Sequence, residues 1–240
     1  MPGFASACRG CDQPERYTQI IFSDLDNNTL KSEPLIFPRG VRFPTRNDIP
    51  PADADEILER VSRAQITTGY IISQAEGQAF DAYIEANVHA PEVFEVFRNL
   101  CFSLLPEIAS PLIGLKDEEP IFGPYTYRAD AVGVLESYKD ILENDGFLEF
   151  GLIHQSEIVF EEIFVASPKY FKIWTKNGGL AEEILQSARI PKCATLEFID
   201  EYPMVSLSIG DNGNAAWTIP YHAIQDEFAR LPKPEMPKDA

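Results

Sequence analysis

Chemistry-bearing residues cluster in a few places along the chain. Asp24 and Asp26 stand one residue apart, directly after the apolar run Ile20-Ile21-Phe22, and Asn27, Asn28 and Thr29 follow them. Carboxylates can act as nucleophiles and as hard oxygen ligands for Mg²⁺. A late stretch, Gly210-Asp211-Asn212-Gly213-Asn214, adds a third carboxylate. Cys8 and Cys11 form a CxxC near the N-terminus. A structural zinc site needs a second ligand pair at similar spacing, and His89, His154 and His222 are isolated. His154 follows an apolar run and could act as a base, but a lone histidine is more often a hydrogen-bonded structural residue. Cys101 lies in an apolar helical pattern that suits a core position, and Cys193 stands alone. No GxSxG, Walker A, HExxH or GxGxxG occurs.

The run Ile20-Ile21-Phe22-Ser23-Asp24-Leu25-Asp26 resembles the first motif of the haloacid-dehalogenase-like phosphohydrolases, an apolar strand ending in DxDxT. The resemblance implies Asp24 as nucleophile, Asp26 as general acid/base and Mg²⁺ as cofactor. Gly210–Asn214 looks like the late metal-binding segment of that family, which would make Asp211 a third metal ligand beside Asp24 and Asp26. Asn28 stands where the motif has Thr or Val, and Ala215 replaces the last Asp of the late segment. Asp24, Asp26 and Asn27 also serve as turn formers after a strand.

A second constellation lies in Phe147–Ser208. Here the acidic pairs Glu161-Glu162 and Asp200-Glu201 share one block with Tyr170, Phe171, Trp174 and Tyr202. Paired carboxylates can flank an acid/base site, or simply be the solvated ends of strands. Beside aromatics they also suit recognition of a basic protein surface, with rings as anchors and charges for steering. The candidate partner-binding residues are Glu161, Glu162, Trp174, Asp200, Glu201 and Tyr202. If Trp174 is not such an anchor, its strand position places it in the core.

The chain has 240 residues, 45% of them hydrophobic, with 38 acidic against 20 basic residues and a formal net charge of −18. It can bury a sizeable core as one large domain or two small ones. The negative field disfavours nucleic acid and favours a basic protein partner, although solubility alone would also explain it. No apolar run approaches the roughly 20 residues of a membrane span. The N-terminal MPGFASACRGC lacks a long apolar core, so a cytoplasmic protein without a secretory signal is expected.

Elements follow from period. Residues 1–16 read as a lead-in and Tyr17–Phe22 as a strand. Prolines 34, 38 and 44 limit the next stretch to a surface-wrapped strand fragment. Asp53 caps a helix, and 66–73 is a strand. Glu76–Asn87 reads as a helix with Phe80, Tyr83 and Ile84 inward, and Val93–Leu105 as a buried helix. Strands are expected at Ser110–Leu115 and around 121–128, then a helix capped by Asp130 and ended at Gly146 in a left-handed C-cap. Strands follow at 147–155, 158–165 and 170–175, a helix near Leu180–Ala188, and a strand at Thr195–Ile199. Val205–Ile209 and Ala215–Ile219 form a hairpin through an Asn-Gly turn, and Tyr221–Arg230 is a last helix.

Hairpin-length connections favour antiparallel pairing. The expected fold is α+β, a mostly antiparallel sheet with helices packed on one face. Residues 1–108 form a mixed α/β region, either separate or part of the same domain. Residues 109–230 form the sheet domain and 231–240 a disordered tail.

The block SPKYFKIWTK…LEFIDEYPMVSLS, within an acidic α+β chain, resembles the immunity proteins that neutralise bacterial polymorphic toxins. The resemblance implies a non-enzymatic inhibitor that binds a cognate basic toxin domain, with no cofactor. The alternative is the Mg²⁺-dependent phosphohydrolase with Asp24 as nucleophile.

Overall fold

The computed structural model describes residues 33–75, 79–209 and 218–234. In chain order these form β1 (Val41–Arg42), α1 (Ala54–Ser62), β2 (Gly69–Gln74), β3 (Ala82–Asn87), α2 (Val93–Leu104), β4 (Ile108–Leu115), β5 (Ile121–Phe122) and β6 (Thr126–Tyr127). Then come α3 (Arg128–Ser137), α4 (Lys139–Asn144), β7 (Leu148–Gln155), β8 (Phe160–Val165), β9 (Tyr170–Thr175), α5 (Gly178–Ser187), β10 (Val205–Ser206) and α6 (Thr218–Arg230).

The fold is α+β. Its large sheet runs β2-β3-β9-β8-β7-β4-β5, with β6 also paired to β4, and every pairing between these strands is antiparallel. β2 and β3 join the same sheet as the strands that follow residue 108. The chain reaches the centre through three consecutive long strands. β7 is apolar on both sides along most of its length, as an interior strand must be.

Period-two alternation sends Ile84 and Ala86, Phe171 and Ile173, Ile163 and Val165, and Leu148, Phe150 and Leu152 to one face. Against that face pack Phe94, Phe97, Leu100 and Cys101 of α2, Ala131 and Leu135 of α3, Leu185 of α5 and Phe228 of α6. Phe97 meets Phe150 edge to face at 5.0 Å. A fully buried Leu or Phe of this kind contributes about 1.5–3 kcal/mol by transfer from water, so this one core dominates the stability of the domain.

Four expectations are corrected. Glu76–Asn87 does not form the expected helix, because its described second half is β3. Ala82, Ile84 and Ala86 are buried while Tyr83 and Glu85 alternate with them, and both flanks are paired, to β2 and to β9. Ladder bonds on two sides outweigh a helical spacing seen in three residues. Thr195–Ile199 is loop, ending in a single 3₁₀ turn at Ile199–Glu201 that the Glu201 carboxylate closes by accepting from Phe198 N. The expected hairpin is replaced by other partners. β10 pairs with β1 instead, and Thr218 already opens α6, while 210–217 lie outside the described residues. Finally, the helix expected from Asp130 starts at Arg128 and breaks at Tyr138, and Gly146 is not a left-handed cap.

Candidate functional site

The opposite face of the sheet is built from the alternate residues of the same strands. Tyr83 and Glu85 of β3, Tyr170, Lys172 and Trp174 of β9, and Phe160, Glu162 and Phe164 of β8 all point there. Register makes neighbours of Tyr83 and Trp174, of Glu162 and Trp174, and of Glu85 and Lys172. The Tyr83 and Trp174 rings lie 4.9 Å apart, Phe160 meets Trp174 edge to face at 6.3 Å, and Phe80 lies 6.1 Å from Phe160. Trp174 is therefore half-buried on this face, away from the core against the helices.

One end of the face is covered. Leu196 and Phe198, from the loop after α5, pack with Tyr170, Ile71, Phe164 and Ala166 into a second, small cluster. The Tyr170 hydroxyl donates to Asp200 at 2.9 Å, and burial together with that carboxylate pushes its ionisation far up. Tyr202 donates to Glu197 at 2.7 Å and lies 6.4 Å from the Phe43 ring. Glu85, Tyr170, Asp200 and Glu201 line a cavity of about 320 Å³ at this end.

The other end carries a cavity of about 400 Å³ lined by Ala79, Phe80, Gln155, Ser156, Phe160, Glu162 and Trp174. Glu162 makes no hydrogen bond or ion pair with any described residue. Burial among the rings pushes its carboxyl up to about 7. Its neighbour Glu161 points through the sheet to the helix side. It is buried there, accepts a hydrogen bond from Lys176 N at 2.8 Å, and is raised by burial. The six residues read from sequence thus separate. Glu162 and Trp174 share the cavity beside Phe160, and Asp200 and Glu201 line the one at the covered end. Tyr202 faces Phe43, and Glu161 is on the wrong side to meet a partner at this face.

Sequence reasoning missed Tyr83, Glu85, Phe80 and Phe160. The signal was present in the alternation Ala82-Tyr83-Ile84-Glu85-Ala86, which the helical reading of the same stretch hid.

Other titratable groups serve the fold. Lys169 adopts φ 68° in the turn after β8, is fully buried, and donates through Nζ to Leu148 O. Burial lowers its amine to about 7, against the pull of Asp145 and Glu149. His154 Nδ1 donates to Ile108 O at 3.1 Å, and His89 Nδ1 accepts from Ile36 N at 3.1 Å. Cys101 is buried in the core, as its pattern suggested, and burial raises its thiol. Among the described residues no group of three or more His, Cys, Asp or Glu could hold a metal ion. Asp24, Asp26, Asp211, Cys8 and Cys11 lie outside those residues. No described helix is long and apolar enough to cross a membrane.

No family model, no curated protein and no solved structure matches this chain. The site is therefore defined by its own geometry. Among the described residues it is the half of the sheet that the loop after α5 does not cover, with aromatic rings beside a carboxylate that has no hydrogen-bond or ion-pair partner there.

Proposed function

We propose that this chain is a non-enzymatic protein-binding protein, an inhibitor of the immunity-protein kind, that docks a basic partner domain on the half of its sheet that the loop after α5 leaves open. The observation that supports it is the row of rings Tyr83, Trp174 and Phe160 on one face with Glu162, which has no hydrogen-bond or ion-pair partner among the described residues. Large rigid rings give contact area at low entropic cost. A carboxylate in an apolar setting disfavours apolar partners and selects cationic ones. The formal net charge of −18 steers such a partner toward the surface.

The reading is tested by immobilising the protein, capturing basic proteins from a lysate of its source at low salt, and measuring the stoichiometry of the purified complex. A one-to-one complex that Tyr83→Ala with Trp174→Ala weakens by about a hundredfold, in a variant that still folds, is the expected result. Complex formation unchanged by that pair, but lost on substitution of Val96, Phe102 or Ile184 in the cavity of about 630 Å³ between α2 and α5, would place the partner elsewhere and sink the proposal.

A further inference from the structure

The cavity beside Trp174 has a more specific chemistry than the face around it. Phe160 and Trp174 meet at 83° with centroids 6.3 Å apart, so one ring offers its flat side where the other offers its edge. Phe80 also lines the cavity, tilted at 52° to Phe160. Both Glu162 oxygens lack a described hydrogen-bond donor, and Gln155 and Ser156 stand at the rim. The cations of this chain that lie nearest along β9 are engaged elsewhere. Lys172 Nζ lies 5.3 Å from the Tyr170 ring, and Lys176 Nζ pairs with Asp81 at 2.9 Å.

We propose that this cavity is a socket for one arginine side chain of the partner, with its guanidinium stacked on the Trp174 indole and forked on the two oxygens of Glu162. The inference rests on the docking reading above and names the group that the face recognises. Each alternative occupant conflicts with something in the cavity. An apolar side chain would leave the carboxylate buried and unpaired. An anion would meet it at close range. A lysine ammonium is a compact, strongly hydrated point charge and uses neither the flat ring nor both oxygens, whereas a planar guanidinium uses all three. Stacking of a cation on indole adds to the attraction, most of all where water is excluded. At about 400 Å³ the space accepts the whole planar head and part of its stem.

The test uses the isolated protein and needs no partner. Trp217, the second of two tryptophans, is replaced in a Trp217→Phe background so that fluorescence reports Trp174 alone. N-acetyl-arginine amide, its neutral isostere N-acetyl-citrulline amide and N-acetyl-lysine amide are titrated at low salt and about pH 8, where the Glu162 carboxyl is ionised. Saturable binding of the arginine compound is expected, with the citrulline and lysine compounds each weaker by about tenfold or more. Glu162→Gln, which keeps shape and loses charge, should weaken the arginine compound by a similar factor with an unchanged circular dichroism spectrum. Phe160→Leu should weaken it too, through loss of a wall.

No saturable binding, equal binding of citrulline, or indifference to Glu162→Gln overturns the socket. Lysine binding as tightly as arginine overturns the guanidinium assignment. These failures are separable from failure of the docking reading. Partner capture that depends on Tyr83 and Trp174 in a protein blind to free arginine removes the socket and leaves the docking face.

Discussion

Glu162 is a carboxyl group that the fold would be more stable without at neutral pH. Its pKa lies at about 7 in the folded chain because burial disfavours the charged form, against roughly 4.3 when unfolded. The sign follows from the raised value. The folded state holds the proton more tightly, so the favourable contribution is complete at low pH and is lost as pH rises through 7. At about pH 8 the ionised group costs on the order of 2 kcal/mol after allowance for its partial exposure. Glu162→Gln should therefore raise the urea midpoint at about pH 8 and change it little below about pH 4, beneath the unfolded value. Equal effects at both pH values would show that the carboxyl has a partner after all. A group that costs stability and serves no described neighbour is what a binding site looks like before its ligand arrives. At this scale the sequence was half legible. It singled out Glu162 and Trp174, yet it grouped Glu161 with them. Adjacent residues on a strand point to opposite faces, so Glu161 and Glu162 could never have met the same partner, and only the burial of one face decided which of them would be outside.

Between elements, the tightest junction is where β1 and β10 meet the end of α4. Gly146 N donates to Leu207 O at 3.0 Å, Leu207 N to Gly40 O at 2.7 Å, and Gly40 N to Asn144 O at 2.8 Å. A Cβ on Gly40 would stand 2.5 Å from Gly146 N and 2.7 Å from Asn144 O. A Cβ on Gly146 would strike the Gly40 carbonyl. These glycines serve close approach of backbones, which is why Gly146 needs no left-handed conformation. Beside them the buried Asp145 accepts from Phe147 N at 2.8 Å and from Ile209 N at 3.1 Å. Gly146→Ala should cost more than about 2 kcal/mol, since backbone cannot give way as a side chain can. Gly133→Ala, on the exposed face of α3 with nothing within 4 Å of the new Cβ, should stabilise by about 0.5–1 kcal/mol. Thermal melts of the two variants moving in the same direction would contradict the packing described. The elements that the sequence revealed, α2, α5, β7, β8 and β9, are those whose local period agrees with their burial. β3 and β10 were misread because their partners lie far away in sequence. β9 completes the pairing of the first and β1 that of the second; the alternation over 82–86 hinted at a strand in β3, but no local pattern names either distant partner.

For the whole molecule, charge and socket make separable contributions to association, and kinetics can tell them apart. The excess of 38 acidic over 20 basic residues gives a long-range field that acts through solvent. Its reach contracts from about 30 Å at 0.01 M salt to about 3 Å at 1 M. Such a field governs encounter, so the association rate with a basic partner should fall by at least about tenfold over that range. The pair formed by Glu162 inside its ring of aromatics is sheltered and only weakly screened, so the dissociation rate should change by less than about threefold. Glu162→Gln should show the opposite pattern, a faster dissociation with nearly the same salt dependence of association, because one charge in 18 hardly alters the field. Reversal of Glu56 and Glu119, both exposed and neither lining the cavity, belongs with the field and should slow association without hastening release. Stopped-flow measurement of both rates across the salt range decides the matter. If salt acts mainly on dissociation, exposed ion pairs hold the complex together and the sheltered carboxylate does not. If Glu162→Gln leaves dissociation untouched, the partner does not enter the cavity beside Trp174, whatever else it touches on the sheet.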